Sequence, residues 1–260
     1  MAAESAGHGG GGGGGFAIDP MHQFEVKTLF PMQFGSIDAS FTNSSLFMVI
    51  AAALLTLLML VGINRRAMVP GRLQSIVELS YEFIANMLRD NVGTAGLRFF
   101  PFVFTLFMFV LATNLLGMVP YSFTVTSQII VTFALAFFIF IGVTILGFVV
   151  HGFGFLKFFV PHGVPMYLLP LVVPIEVVSY LTRPISLSVR LFANMMAGHT
   201  VIKVFAGFVI ALGAFGYAPG LLPLVFMVAL TALEVLVAAL QAYVFAILTC
   251  IYLNDALHMH

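Results

Sequence analysis

Residues 45–63 carry no charged side chain, and a run of that length crosses a hydrocarbon core of about 30 Å as one helix. Similar charge-free runs cover residues 99–119 and 128–150, and two longer, mostly apolar stretches follow at about 176–212 and 221–254. Inside lipid a helix satisfies its own backbone hydrogen bonds, so repeated runs of this kind require an all-α membrane protein. Composition agrees, because 61% hydrophobic and only 8% charged residues exceed what a soluble domain of 260 residues can hide in one core. Ten basic and ten acidic residues cancel, and no basic block remains that would neutralise a phosphate backbone, which argues against nucleic acid as a partner. Cys250, the single cysteine, has no internal disulfide partner.

The spans organise into one membrane domain over residues 41–260. Residues 1–40, with the unbroken run Gly9 to Gly15, read as a flexible segment on the outer side. Between the first two spans, residues 73–88 place Ile76, Val77, Ile84, Met87 and Leu88 on one helix face. The opposite face carries Gln74, Glu78, Glu82, Asn86 and Arg89, a pattern that suits an amphipathic helix on the membrane surface. An ordinary packing helix would show the same periodicity. Prolines 161, 165, 170 and 174 predict an irregular entry to the last two arms. Those arms exceed the hydrocarbon thickness at about 1.5 Å per residue, so they form a long hairpin that must tilt strongly or project from the membrane. Arg65, Arg66, Arg72, Arg89 and Arg98 fall in the first connection and Lys157 in the third, with none in the second or fourth. The positive-inside rule therefore puts the N-terminus outside and Asp255 to His260 inside.

The first long arm contains Glu176, Ser179, Arg183, Ser186, Arg190 and Asn194 at intervals of three or four, which line one helix face. Thr182 lies beside them. A charge at the bilayer centre costs from about 3 to more than about 10 kcal/mol, so Arg190 in particular calls for a task. Snorkelling to a head group, or a strut to Glu176, is the alternative reading for either arginine. If the hairpin turn centres near residue 217, facing residues have numbers that add to about 434. His199 with Glu234 and Arg190 with Gln241 come close to that register. An imidazole opposite a carboxylate is a candidate proton relay, because histidine titrates near neutral pH. Asn114 sits near the outer end of its span and joins Asn194 and His199 on the outer side of Arg190. Glu176, Ser179, Thr182, Arg183 and Ser186 lie on its inner side. Two polar tracks thus reach a guanidinium that does not release its proton, and an interrupted track needs a mobile carrier.

The run Arg183-Pro-Ile-Ser-Leu-Ser-Val-Arg190-Leu-Phe-Ala-Asn194-Met-Met-Ala-Gly-His199, with Leu240-Gln241-Ala-Tyr-Val-Phe in the last arm, strongly resembles subunit a of the F-type ATP synthase. Thr113-Asn114-Leu-Leu-Gly-Met-Val-Pro120 looks like a motif of the same family, and the likeness covers roughly residues 40 to 255. The resemblance implies the carrier, a ring of c subunits that each hold one buried carboxyl. It implies b-type peripheral stalk subunits and the remainder of the F-type ATP synthase as further partners, with membrane lipid around the chain and protons as the cargo. Arg190 matches the family's essential arginine, Asn194 and Gln241 match polar residues near it, and His199 with Glu234 match its outer half-channel pair. Glu176 and Ser186 match positions of the inner half-channel. Gly117 departs from members with an acid at that position. The resemblance implies no cofactor, no metal and no bond chemistry in this subunit. It points to an energy-transducing membrane, first the bacterial inner membrane and second the mitochondrial one.

Two other functions fit a chain of this class. A haem or quinone oxidoreductase would want paired histidines on facing spans, whereas only His199 lies deep in an apolar span. A self-contained proton-coupled secondary transporter would show internal repeats, and the two hairpins share no motif.

Overall fold

The computed structural model describes residues 24–258 except 32, 35–36, 39, 65–70, 120–121, 161–166 and 214–215. The glycine run, Arg65, Arg66, Pro161, Pro165 and His162 lie outside the described residues, so the expectations placed on them stay with the sequence. Six α-helices carry the fold: α1 Asn43–Asn64, α2 Arg72–Val92, α3 Phe100–Gly117, α4 Ile129–His151, α5 Leu169–Gly213 and α6 Tyr217–Leu257. Among the described residues, five helical stretches are long and apolar enough to cross a membrane, and they correspond to α1, α3, α4, α5 and α6. The chain is an all-α membrane protein. Large apolar side chains such as Leu57 and Leu60 on α1, and Ile130, Phe138 and Val149 on α4, are exposed. Such surface suits lipid and would be a liability in water.

Helices α5 and α6 pack along each other as an antiparallel hairpin, with α4 against α5 and α3 against α6. At 45 and 41 residues they run about 68 and 62 Å by helical rise, twice the hydrocarbon thickness. Helix α5 begins at Leu169, seven residues before the expected entry at 176. The reason is local. Pro170 falls in the first turn, where no backbone N–H is needed, and the helix then absorbs Pro174 and Pro184 in its interior.

Helix α2 runs past the expected 73–88 to Val92. Val77, Ile84, Met87, Leu88 and Val92 face inward, and the helix packs on α1, α3 and α6. Ile76, assigned by periodicity to the same apolar face, is instead half-exposed beside Leu79 and Tyr81. The buried core joins Ile84 of α2 to Val103 and Val110 of α3, Ile139 of α4, Leu187 and Leu191 of α5, and Phe245 of α6. It therefore lies at the height of Arg190 on the inward side of α5.

Residues 28–42, where no strand is expected, contain two short antiparallel pairs. Strand β1 (Thr28–Phe30) pairs with β4 (Phe41–Thr42), and β2 (Gln33–Phe34) with β3 (Ile37–Asp38). Asn43 ties this segment to the start of α1, its side chain donating to the Glu25 carbonyl and accepting from the Ser44 N–H. Gln128, just before α4, donates to the Phe24 carbonyl at 2.9 Å. These contacts gather the N-terminal strands and the α3–α4 link at one end of the bundle.

Candidate functional site

Arg190 projects from α5 onto the exposed side of that helix, while its neighbours Leu187, Ser188 and Leu191 are buried. It forms no hydrogen bond or ion pair among the described residues. Ser179, Thr182 and Ser186 are exposed as well, so that part of the polar stripe runs along an open edge of α5, whereas Arg183 is half-buried. Glu176 and Asn194 are half-buried at its margins.

One turn beyond Arg190, the Asn194 side-chain amide donates to Gln241 Oε1 at 3.0 Å. Gln241 is buried on α6, and its Nε2 has no partner among the described residues. Asn114 of α3 is fully buried and donates to the Ala238 carbonyl at 3.2 Å, while its Oδ1 lacks a partner. Ala238 falls between Glu234 and Gln241 on α6, so Asn114 reaches the hairpin between those two polar residues. A buried amide with open valences is unusual unless water or another group serves it.

About 14 Å above Arg190 by helical rise, His199 Nδ1 lies 3.3 Å from Glu234 Oε1. The register estimated from the turn had these two residues facing each other. It had Gln241 near Arg190, and the closer partner of Gln241 is Asn194, one turn further along α5. Gly198 makes the approach of α6 possible, since a Cβ there would stand 2.5 Å from Glu234 Oε1. The other ring nitrogen of His199, Nε2, is 3.0 Å from Thr124 Oγ1. Thr124 is seated over Gly117, where an added Cβ would come within 2.8 Å of its Cγ2. An acid at position 117 would thus displace Thr124, which gives the glycine there a physical reason. The Phe24 ring flanks His199 at 6.5 Å between centroids.

On the other side of Arg190, Arg183 donates to Asp255 Oδ2 at 2.9 Å and lies against the rings of Tyr180 and Tyr252. Tyr180 in turn shares a hydrogen bond of 2.8 Å with Thr144 of α4. Arg183 is therefore held by α6 and not by Glu176, the strut considered from sequence. The carboxylate of Glu176 has no hydrogen bond or ion pair among the described residues. No group of three or more histidine, cysteine, aspartate or glutamate residues that would hold a metal ion exists among the described residues.

Several site residues were not singled out from sequence. Thr124 lies in a link without periodicity, and only the density of hydroxyls from Ser122 to Ser127 hinted at it. Gly198 was quoted in the motif without a role, although a glycine beside a buried histidine invites a steric reading. Asp255 closes an apolar arm, and its acid is the natural partner for an arginine one hairpin register away.

Residues 45–254 match the family described as ATP synthase A chain. The chain is 63% identical over 247 residues to ATP synthase subunit a of Parvibaculum lavamentivorans, covering 94% of this chain and 95% of that protein. It is 62% identical over 244 residues to ATP synthase subunit a of Mesorhizobium japonicum, with 93% and 97% covered. With ATP synthase subunit a of Pelagibacter ubique the identity is 60% over 245 residues, with 94% and 99% covered.

Proposed function

The chain belongs to the ATP synthase A chain family, subunit a of the F-type enzyme, and on that premise we propose that it is the stator of a rotary proton path. Its partner is a ring of c subunits with membrane-buried carboxyls, turning against α5 and α6. The observation that carries this reading is Arg190, a cation on the exposed side of a membrane helix with two polar groups on either side of it.

On the outer side a proton reaches Asn114, His199 and Glu234, with Asn194 and Gln241 completing the polar route toward the ring. It neutralises a ring carboxylate released from Arg190, rides the ring, and leaves inward past Ser186, Thr182, Ser179 and Glu176. Arg183 stands on that inner side, held by Asp255. Arg190 attracts the ionised carboxylate and, having no proton to give, blocks a direct leak between the tracks. Each charge crossing about 100 mV supplies about 2.3 kcal/mol for rotation. The subunit makes and breaks no covalent bond apart from those to protons. Peripheral stalk subunits of the b type hold it against the torque, in the inner membrane of a bacterium.

The experiment compares proton flux through liposomes that hold the purified chain alone with flux through liposomes that hold the whole complex. A stator passes protons only with the ring present, and coupled to ATP. Substantial flux through the chain alone would favour a self-contained transporter.

A further inference from the structure

Gly117 ends α3, and its carbonyl is one of those a helix C-terminus leaves without an intrahelical donor. Thr124 Oγ1 reaches it at 3.3 Å, whereas the Ser122 hydroxyl, at the same distance, lies closer to the Leu116 and Val119 carbonyls, at 2.5 and 2.7 Å. A carbonyl only accepts, so a bond to Gly117 takes the single proton of the Thr124 hydroxyl. The same oxygen sits 3.0 Å from His199 Nε2 and has only lone pairs left to offer there. Thr124 is 4% exposed, so water has little access to reverse that arrangement.

We infer that Thr124 is a positioning residue that fixes the tautomer of His199, holding the proton on Nε2 and leaving Nδ1 bare toward Glu234. The inference rests on the reading of His199 and Glu234 as the outer relay. With Nε2 occupied, the neutral imidazole accepts a proton at one place only, the nitrogen 3.3 Å from the Glu234 carboxyl. A proton on Glu234 moves to Nδ1 to give carboxylate and imidazolium, and the reverse transfer restores acid and neutral ring. His199 therefore takes up and gives up protons at Nδ1 and not through Thr124. The opposite tautomer would present an N–H to Glu234 and could take no proton from it.

The experiment uses the whole complex labelled with [15N]histidine, its His199 signal identified by loss in His199→Gln, at a pH where that ring is neutral. The expected spectrum has a protonated Nε2 and a bare Nδ1, kept in Thr124→Ser and lost or mixed in Thr124→Val. Proton-driven ATP synthesis is expected to fall at least about tenfold in Thr124→Val, as for a relay whose base is in the wrong tautomer, and to be retained in Thr124→Ser. A protonated Nδ1 in the unaltered complex, or an unchanged spectrum in Thr124→Val, would overturn the inference. If the tautomer follows the hydroxyl but His199→Ala and Glu234→Ala synthesise ATP normally, the tautomer assignment stands and the relay reading fails.

Discussion

Replacing Gly198 by alanine adds one methyl group where α5 meets the Glu234 side chain. The new Cβ would stand 2.5 Å from Oε1, 2.8 Å from Cδ and 3.1 Å from Cγ of Glu234. Reaching the 3.4 Å of ordinary contact moves Oε1 by about 0.9 Å, which displaces the carboxyl that stands 3.3 Å from His199 Nδ1. Misplacing a reacting group by about 1 Å costs on the order of 100-fold in rate. Glycine to alanine inside a helix otherwise stabilises it by roughly 1 kcal/mol, so a loss of rate has to come from the displaced carboxyl. The expectation is that Gly198→Ala assembles normally and pumps protons roughly ten- to a hundredfold more slowly, as followed by fluorescence quenching in inverted vesicles driven by ATP. Pumping at the unaltered rate, in a complex with the alanine in place, would refute the argument that this contact carries protons.

Exchanging the pair, His199→Glu with Glu234→His, keeps one acid and one imidazole face to face. It should retain more ATP-driven pumping than either single change, and a result no better than the worse single change would show that the two do not act as one unit. Cysteines at 199 and 234, with Cys250 replaced by alanine, should form a disulfide under mild oxidant, read as a band resistant to separation after cleavage between α5 and α6. Arg183→Ala and Asp255→Asn each remove one half of a partly exposed ion pair. Each should slow pumping less than loss of Arg190, and the double variant should be no worse than the worse single one. Additive losses would mean that the two residues act separately.

The spans were legible because lipid tolerates so few charges: the charge-free runs at 45–63, 99–119 and 128–150 fall on α1, α3 and α4. Two long arms joined by a short turn can slide little past each other, so the turn alone gave the facing of His199 and Glu234. The start of α5 was hidden because proline reads as a breaker, although at a helix's first turn it breaks nothing. Ile76 misled because amphipathic periodicity gives a face but not how wide a stripe the neighbours cover. Thr124 belongs to a link beyond the end of α3 whose geometry depends on what α5 presents to it, and no local pattern encodes that. Asp255 pairs with Arg183 across 72 positions of sequence, a contact that only the packed hairpin creates.

The central claim is that Arg190 faces the ring and keeps the two tracks apart, and Arg190→Ala in fully assembled complex tests it most directly. This variant is expected to retain its subunits in normal ratio yet drive no proton pumping when ATP is supplied to inverted membrane vesicles. Pumping at the unaltered rate without the guanidinium would contradict it.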